Sequence, residues 1–257
     1  MTRILLTGAT GAVGSVIARQ LAEFGVDVIR AGRGDSQLHF DLKEQNLDLN
    51  LRHFDGLIHC AWDFSCKNSE IFAINGLGSA RLLSLANEYK LPILFISTLA
   101  AHPNSLSRYG LTKFFLEQLT LEFGGCVARL GAYTSSQGMD LYSRLKTLNQ
   151  RLLFSILPGN KKHKYYETTN TNLRELLVQY LESDLSITGK YLVATEKPKS
   201  LQEILDIKKP TIYLGLAFPY IVLRGLERLT RSGKNSDSLL SLKFQATSNE
   251  IASLIRL

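Results

Sequence analysis

Tyr109 and Lys113 stand four residues apart in the segment YGLTK. In a helix, side chains at this spacing lie on one face, one turn apart. A free phenol titrates near pH ~10, so it transfers protons poorly at neutral pH. A neighbouring ammonium favours the phenolate and lowers that pKa. The pair is therefore suited to exchanging a proton with a carbonyl or alcohol oxygen.

Two hydroxyl side chains, Ser97 and Thr98, precede this pair and follow the apolar residues 93–96. Sites in α/β proteins lie at the carboxyl ends of parallel strands, and residues 93–96 are predicted to form such a strand. We predict that a hydroxyl here holds the substrate oxygen beside Tyr109. The alternative is that both residues belong to a turn.

A glycine-rich segment, TGATGAVG at residues 7–14, joins a predicted strand to a predicted helix. In the dinucleotide-binding fingerprint the first glycine permits a tight turn, the second lets the backbone approach a pyrophosphate, and the third allows close helix–sheet packing. The helix N-terminus adds a partial positive charge. We predict a dinucleotide site here, the alternative being a purely structural turn. The predicted cofactor-binding residues of this segment are Gly8, Thr10, Gly11, Ala12, Val13 and Gly14.

The end of the second predicted strand bears on the choice of cofactor. Sites for NAD place an acidic residue there, whereas an arginine accommodates the 2′-phosphate of NADP. The stretch IRAGR at residues 29–33 has no acid and offers Arg30 and Arg33. It predicts NADP(H) in preference to NAD(H), unless the arginines are simply exposed. Further on, Asp41-Leu42 is predicted to meet the adenine edge, with a helix-capping Asp41 as the alternative.

Short apolar runs alternate with amphipathic segments over the first half of the chain, which predicts right-handed crossovers and a parallel sheet. The fold class is α/β, a doubly wound parallel sheet (Rossmann fold) over residues 1–134, with a smaller, partly interleaved substrate-binding region over 135–257. Strands are predicted at residues 4–6, 26–30, 55–59, 93–96, 126–130 and 190–194. Helices are predicted at residues 13–24, 77–89, 112–123, 140–156, 173–181 and 214–229, with a turn at 168–172.

The composition is that of a globular protein, with 45% hydrophobic and 21% charged residues. The net charge of +7 lies entirely in residues 134–257, because acids and bases balance in residues 1–133. Such a region either attracts nucleic acid, an anionic membrane or a phosphorylated substrate, or is a solvated basic surface. The longest apolar stretch, residues 212–223, is shorter than the ~20 residues that a membrane span needs.

Three cysteines, Cys60, Cys66 and Cys126, are too few and too scattered for a disulfide framework or a metal site. We therefore predict free thiols, a cytoplasmic location and no metal. His59, in a predicted strand, is interpreted as a satisfied core histidine.

The motifs together resemble those of the extended short-chain dehydrogenases/reductases, of the NAD-dependent epimerase/dehydratase type. The resemblance covers about the first 135 residues and rests on TGATGAVG, DGLIHCAW, INGLGSARLL, FIST, YGLTK and VARLGAY, in the family's order. It implies that Tyr109 is the catalytic acid/base and that Lys113 holds the nicotinamide ribose. It further implies roles for Thr98 as the hydroxyl residue, for Asn75 on the central helix, and for Ala61, where the family's backbone lines the cofactor. Cys60 and Trp62 are also predicted to contact the cofactor, since Trp62, Asp63 and Phe64 follow the end of a predicted strand and border the cleft.

The sequence also departs from the family's pattern. His102 stands where an aromatic residue is usual, and the Gly-Pro expected after residues 129–131 is absent. The expected activity is that of an NAD(P)-dependent oxidoreductase or epimerase acting on a nucleotide-activated sugar. Reduction of a keto-sugar is favoured over epimerisation. The partner is expected to be a small-molecule substrate and not a nucleic acid, and the chain is compatible with a homodimer. The alternatives are a non-catalytic dinucleotide-binding sensor or structural protein, and a peripheral membrane protein that uses residues 213–229.

Overall fold

The computed structural model describes residues 1–34, 36–135, 141–150, 152–215 and 255–256. The strands are β1 (Arg3–Thr7), β2 (Asp27–Gly32), β3 (Leu38–His39), β4 (Gly56–His59), β5 (Ile93–Thr98), β6 (Cys126–Leu130), β7 (Ala132–Tyr133), β8 (Ser155–Pro158), β9 (Lys164–Tyr165), β10 (Glu167–Thr168), β11 (Gly189–Val193), β12 (Lys199–Ser200), β13 (Thr211–Leu214) and β14 (Ile255–Arg256). The helices are α1 (Gly14–Glu23), α2 (Leu77–Glu88), α3 (Arg108–Glu122), α4 (Leu141–Gln150), α5 (Asn170–Glu182) and α6 (Leu201–Ile204). A 3₁₀ turn (Asn68–Glu70) and a π-helical turn (Phe72–Gly76) lead into α2.

The central sheet has the strand order β14-β11-β6-β5-β4-β1-β2-β3, and every pair in it is parallel. The strand order reverses between β1 and β4: the chain proceeds from β1 to β2 and β3 on one side, and from β4 to β5 and β6 on the other. The loops that follow β1 and β4 therefore leave the sheet in opposite directions. Open α/β sheets bind ligands in the crevice at such a switch point. The predicted Rossmann fold is confirmed.

Helices cover both faces of this sheet. One apolar cluster packs α1 and α5 against one face through Ile17, Leu21 and Leu177, and a second packs α2 and α3 against the other through Leu82 and Leu116. The inner strands are buried on both sides, which explains why they are continuous apolar runs rather than alternating ones.

Helix α3 begins at Arg108, four residues before the predicted start. The Ser107 side chain accepts a hydrogen bond from the Gly110 backbone N–H at 2.9 Å and so caps the helix. Tyr109 therefore lies in the first turn of α3, with Lys113 one turn further on.

The predicted helix at residues 140–156 is wrong in its C-terminal part. Helix α4 ends at Gln150, and Ser155–Pro158 forms β8 instead, because it pairs with β13. The predicted turn at residues 168–172 is also wrong, since Thr169 caps α5, which begins at Asn170. The strand predicted at residues 190–194 is confirmed as β11.

The chain beyond residue 134 contributes to the same body as the first half. Strand β11 adds to the central sheet beside β6, and α5 packs against α1. Gln20 donates to the Asn170 carbonyl at 2.9 Å, and Arg174 pairs with Glu23 at 2.6 Å. Among the described residues, none of the helices is long and apolar enough to cross a membrane. The helix predicted at residues 214–229 lies outside the described residues, except that Leu214 ends β13.

Candidate active site

The glycine turn after β1 is packed so closely that side chains are excluded. Gly8 has φ +70°, and a Cβ there would lie 2.7 Å from the backbone of Ala61. A Cβ on Gly14 would collide with the Gly8 carbonyl. The first glycine therefore makes the turn and the third allows the helix to pack on it, as the fingerprint predicts.

The start of α1 suits an anion. No side chain caps its first turn, and no acidic residue lies in that turn. The positive end of the helix dipole therefore has no counter-charge from the helix's own first turn. Thr10 is exposed here, and Gly11, Ala12 and Val13 are half-buried.

The loop after β4 lies directly against this turn. The Ala61 N–H donates to Thr7 Oγ1 at 3.3 Å, and the same hydroxyl lies 2.6 Å from His59 Nδ1. His59 is fully buried, and its ring stacks on Phe95. Burial lowers the pKa of His59 to about 3, and the positive charge of Lys113 contributes less to this shift. The ring is therefore neutral. The prediction of a core histidine holds for its position, but among the described residues Nε2 finds no hydrogen-bond partner, so the histidine is not fully satisfied there.

Lys113 is buried at the centre of the site. Its Nζ donates to the Ile96 carbonyl at 2.8 Å and lies over the rings of Phe95 (4.5 Å) and Trp62 (4.9 Å). Burial lowers the pKa of Lys113 to about 8, against the opposing influence of Cys60 and Glu117. Tyr109 is half-buried and meets Trp62 edge-on, with ring centroids 4.9 Å apart. Trp62 thus contacts both members of the Tyr-Lys pair.

The two hydroxyl residues at the end of β5 have different surroundings. Ser97 donates to Glu117 Oε1 at 2.6 Å, and Glu117 forms a buried ion pair with Arg129, whose Nε lies 2.8 Å from it. Thr98 is half-buried, and its Oγ1 accepts from the Ala100 N–H at 3.2 Å. Successive side chains on a strand point to opposite faces. The structure therefore does not bring Ser97 and Thr98 together.

Asn75 is fully buried and holds the loop after β4. Its Oδ1 accepts from the Asp63 N–H at 2.6 Å, while its Nδ2 donates to the Asp63 carbonyl at 3.1 Å and to Cys66 Sγ at 3.4 Å. Because these bonds fix the backbone next to Trp62, the contacts of Asn75 are those of a positioning residue.

The remaining predicted cofactor residues lie around the rim. Arg33 is exposed, with Nη1 3.8 Å from Asp63 Oδ2. Asp41 accepts from the Lys43 N–H at 3.0 Å in a turn and no helix follows, so the helix-capping alternative is wrong. The Leu42 side chain is buried in the core. Cys60 is half-buried, and burial raises the pKa of its thiol to about 12.

Residues 4–130 match the family described as the NAD dependent epimerase/dehydratase family. This part of the chain belongs to that family. The glycine turn, the loop after β4 and the Tyr-Lys pair all fall within the matched segment. The family is one of enzymes, and the match confirms the resemblance inferred from the motifs.

Solved structures of similar fold include several from this kind of enzyme. MoeE5 in complex with UDP-glucuronic acid and NAD superposes with a TM-score of 0.64 at 19% identity, covering 83% of this chain and 85% of that one. The UDP-glucose 4-epimerase of Thermus thermophilus, in complex with NAD, gives 0.63 at 19% identity, covering 83% and 86%. The UDP-N-acetylglucosamine 4-epimerase of Bacillus cereus gives 0.64 at 15% identity, covering 96% and 100%. No curated protein matches the chain in sequence.

Two features of this family member were not singled out from the sequence. Glu117 lies one helical turn beyond Lys113, a spacing that could have indicated its place under the site. Lys43, 3.3 Å from Asp63, carried no local signal, since the contact joins loops twenty residues apart. Within the described part of the chain, no group of His, Cys, Asp and Glu could hold a metal ion, and the three cysteines are free.

Proposed function

We propose that the protein is an NAD(P)-dependent oxidoreductase or epimerase that acts on a nucleotide-activated sugar, with Tyr109 as acid/base and Lys113 as its partner. One observation carries the proposal. The loop after β4 touches the glycine turn through Ala61 and touches both Tyr109 and Lys113 through the adjacent Trp62. The phosphate-binding turn and the proton-transfer pair are therefore parts of one crevice.

The residues present fit a dinucleotide. The glycine turn presents backbone without side chains at Gly8, Gly11 and Gly14, and the uncapped start of α1 would offer a pyrophosphate the positive end of a helix. The nicotinamide, when bound, supplies the hydride or accepts it. Lys113 would hold the adjoining ribose hydroxyls, and its charge would lower the pKa of the Tyr109 phenol.

Tyr109 would then pass a proton to or from the substrate oxygen, with Thr98 holding that oxygen in place. Thr98 is favoured over Ser97 for this role because the Ser97 hydroxyl is bonded to Glu117. Asn75 would act through the loop that it fixes rather than on the reacting atoms.

NADP(H) is the favoured cofactor, because Arg33 follows β2 and no acid lies in that strand after Asp27. NADP(H) use in turn favours net reduction of a keto-sugar over epimerisation. The choice of a nucleotide sugar rests on the family and on MoeE5, whose structure holds UDP-glucuronic acid. The excess positive charge of residues 134–257 suits a diphosphate-bearing substrate.

The test is oxidation of NADPH with a panel of keto-sugar nucleotides, by wild type and by Tyr109→Phe. Removing the phenolic proton should lower kcat by about 10²- to 10⁴-fold and leave NADPH affinity within about twofold. Tyr89→Phe, on the partly exposed end of α2, is the matched control and should keep full activity. Full activity in Tyr109→Phe would overturn the mechanism. NADPH binding without turnover of any substrate by the wild type would favour a dinucleotide sensor instead.

A further inference from the structure

A buried carboxylate, Asp63, faces two half-exposed cations at the rim of the crevice. Its Oδ2 lies 3.3 Å from Lys43 Nζ and 3.8 Å from Arg33 Nη1. The Asp63 side chain is 3% exposed, against 48% for Lys43 and 56% for Arg33. Its other oxygen, Oδ1, accepts from the Ser65 N–H at 2.7 Å.

The three side chains come from three loops at one edge of the sheet. Arg33 follows β2, Lys43 lies just beyond β3, and Asp63 follows β4. The strands are parallel, so these loops leave the same edge as the glycine turn after β1. The cluster therefore borders the same crevice on the side of β2, where the adenosine ribose of a dinucleotide is recognised in Rossmann folds.

The surroundings of Asp63 favour its charged form. Although burial raises the pKa of Asp63, hydrogen bonds from Ser65 and the nearby Lys43 hold it below its usual range. Within the described part of the chain, Oδ2 meets Lys43 only as an ion pair and has no hydrogen-bond partner. Among these three described side chains, two cations thus share one carboxylate, which leaves the trio with one net positive charge.

We infer that Asp63 sets the discrimination between a ribose 2′-hydroxyl and a ribose 2′-phosphate. Residues 29–33 contain no acid, and Asp63 brings a carboxylate to this rim from the loop after β4. A 2′-phosphate must draw Arg33 and Lys43 away from Asp63 and must bear the repulsion of its carboxylate. A 2′-hydroxyl needs neither cation. Asp63 therefore weakens the preference for NADP(H) that Arg33 and Lys43 create, and it keeps NAD(H) usable. This inference rests on the proposed dinucleotide site.

The carboxylate can be neutralised with little disturbance of the loop. In Asp63→Asn the amide oxygen can still accept from Ser65, and Asn75 still holds the backbone of residue 63. A change in ligand preference would therefore report the lost charge rather than a collapsed loop.

The experiment measures binding of adenosine 2′,5′-bisphosphate and of 5′-AMP to the full chain by calorimetry. These probes differ only in the 2′-phosphate. Asp63→Asn should tighten binding of the bisphosphate roughly fivefold and leave 5′-AMP within about twofold, since partly exposed charges interact modestly. Lys43→Gln should weaken the bisphosphate by a similar factor. The matched control is Asp48→Asn, because Asp48 is an exposed acid in the same connection between β3 and β4 as Lys43. It should change the affinity for neither probe.

The outcomes separate the two proposals. If the wild type binds both probes and Asp63→Asn leaves their affinity ratio unchanged, the role of Asp63 is overturned while the dinucleotide site stands. If Lys43→Gln has no effect on the bisphosphate, the two-cation site is overturned. If the wild type binds neither probe, the dinucleotide site fails, and this inference fails with it. Thermal unfolding of each variant establishes that it is folded.

Discussion

Ser97 donates its hydroxyl to the Glu117 carboxylate at 2.6 Å, and both side chains are buried. The bond ties β5 to α3, the helix that carries Tyr109 and Lys113. One turn earlier, Lys113 donates to the Ile96 carbonyl, so two consecutive residues of β5 are tied to the same helix. The register of the Tyr-Lys pair against Thr98 is thus held by Ile96 and Ser97.

This arrangement predicts different effects for the two hydroxyl residues. Ser97→Ala leaves a buried carboxylate with one bond fewer, so it should lower the free energy of unfolding by about 1–3 kcal/mol. Thr98→Ala should leave stability within about 1 kcal/mol but lower kcat at least about tenfold, because it removes the hydroxyl proposed to hold the substrate. Urea unfolding and steady-state kinetics on both variants check this. Unchanged kcat in Thr98→Ala, with kcat lost in Ser97→Ala, would reverse the assignment.

The glycine turn offers a test of close packing. Gly8 and Gly25 have nearly the same φ, +70° and +74°, but only at Gly8 does a Cβ meet neighbouring atoms. Gly25→Ala should cost about 1–2 kcal/mol, the cost of a left-handed conformation alone. Gly8→Ala should cost more than Gly25→Ala, because Ala61 must also move.

The affinity for a dinucleotide should also differ between Gly8→Ala and Gly25→Ala. Displacing Ala61 disturbs the loop that touches both the glycine turn, where we propose that the pyrophosphate binds, and the Tyr-Lys pair. Gly8→Ala should therefore weaken dinucleotide binding in fluorescence titration, whereas Gly25→Ala should retain wild-type affinity. Equal losses of stability and binding in the two variants would show that the contact with Ala61 is unimportant.

The buried ammonium of Lys113 predicts a pH-dependent stability. Its folded pKa, about 8, lies below the value of 10.5 for the free side chain. Between these values the unfolded state binds more protons, so unfolding becomes harder as the pH rises. The penalty for burying the charge is fully present at pH 7 and is relieved between about pH 8 and 10.5. Its size is on the order of 3 kcal/mol.

Lys113→Met isolates this contribution, since all other titrating groups are shared. The free energy of unfolding of wild type minus that of Lys113→Met should rise between about pH 8 and 10.5 and be flat below about pH 7. Denaturant unfolding at a series of pH values measures it. A flat difference throughout would mean that Lys113 is as readily protonated in the folded protein as in water.

Most of the fold was accessible from the sequence because its signals are local. The glycine turn, the apolar runs of β1, β4, β5 and β6, and the i, i+4 spacing of Tyr109 and Lys113 each involve only near neighbours. The start of α3 was placed four residues late, because the cap at Ser107 precedes the periodic segment. The end of α4 was misplaced because β8 exists only through its pairing with β13, more than fifty residues away.

The sequence by itself determined the Rossmann topology, the glycine turn and the position of Tyr109 and Lys113 on one helix face. Hydrophobic period, turn residues and i, i+4 spacing all depend on residues that are close along the chain. Only the tertiary structure decided that Ser97 faces Glu117 rather than the crevice, that Trp62 contacts both Tyr109 and Lys113, and that Asp63 lies against the cations at the end of β2. These relationships join loops and elements that are distant along the chain. They arise because parallel strands bring their carboxyl ends to one edge of the sheet. Buried charged groups there are paired, since burying an unpaired charge is costly.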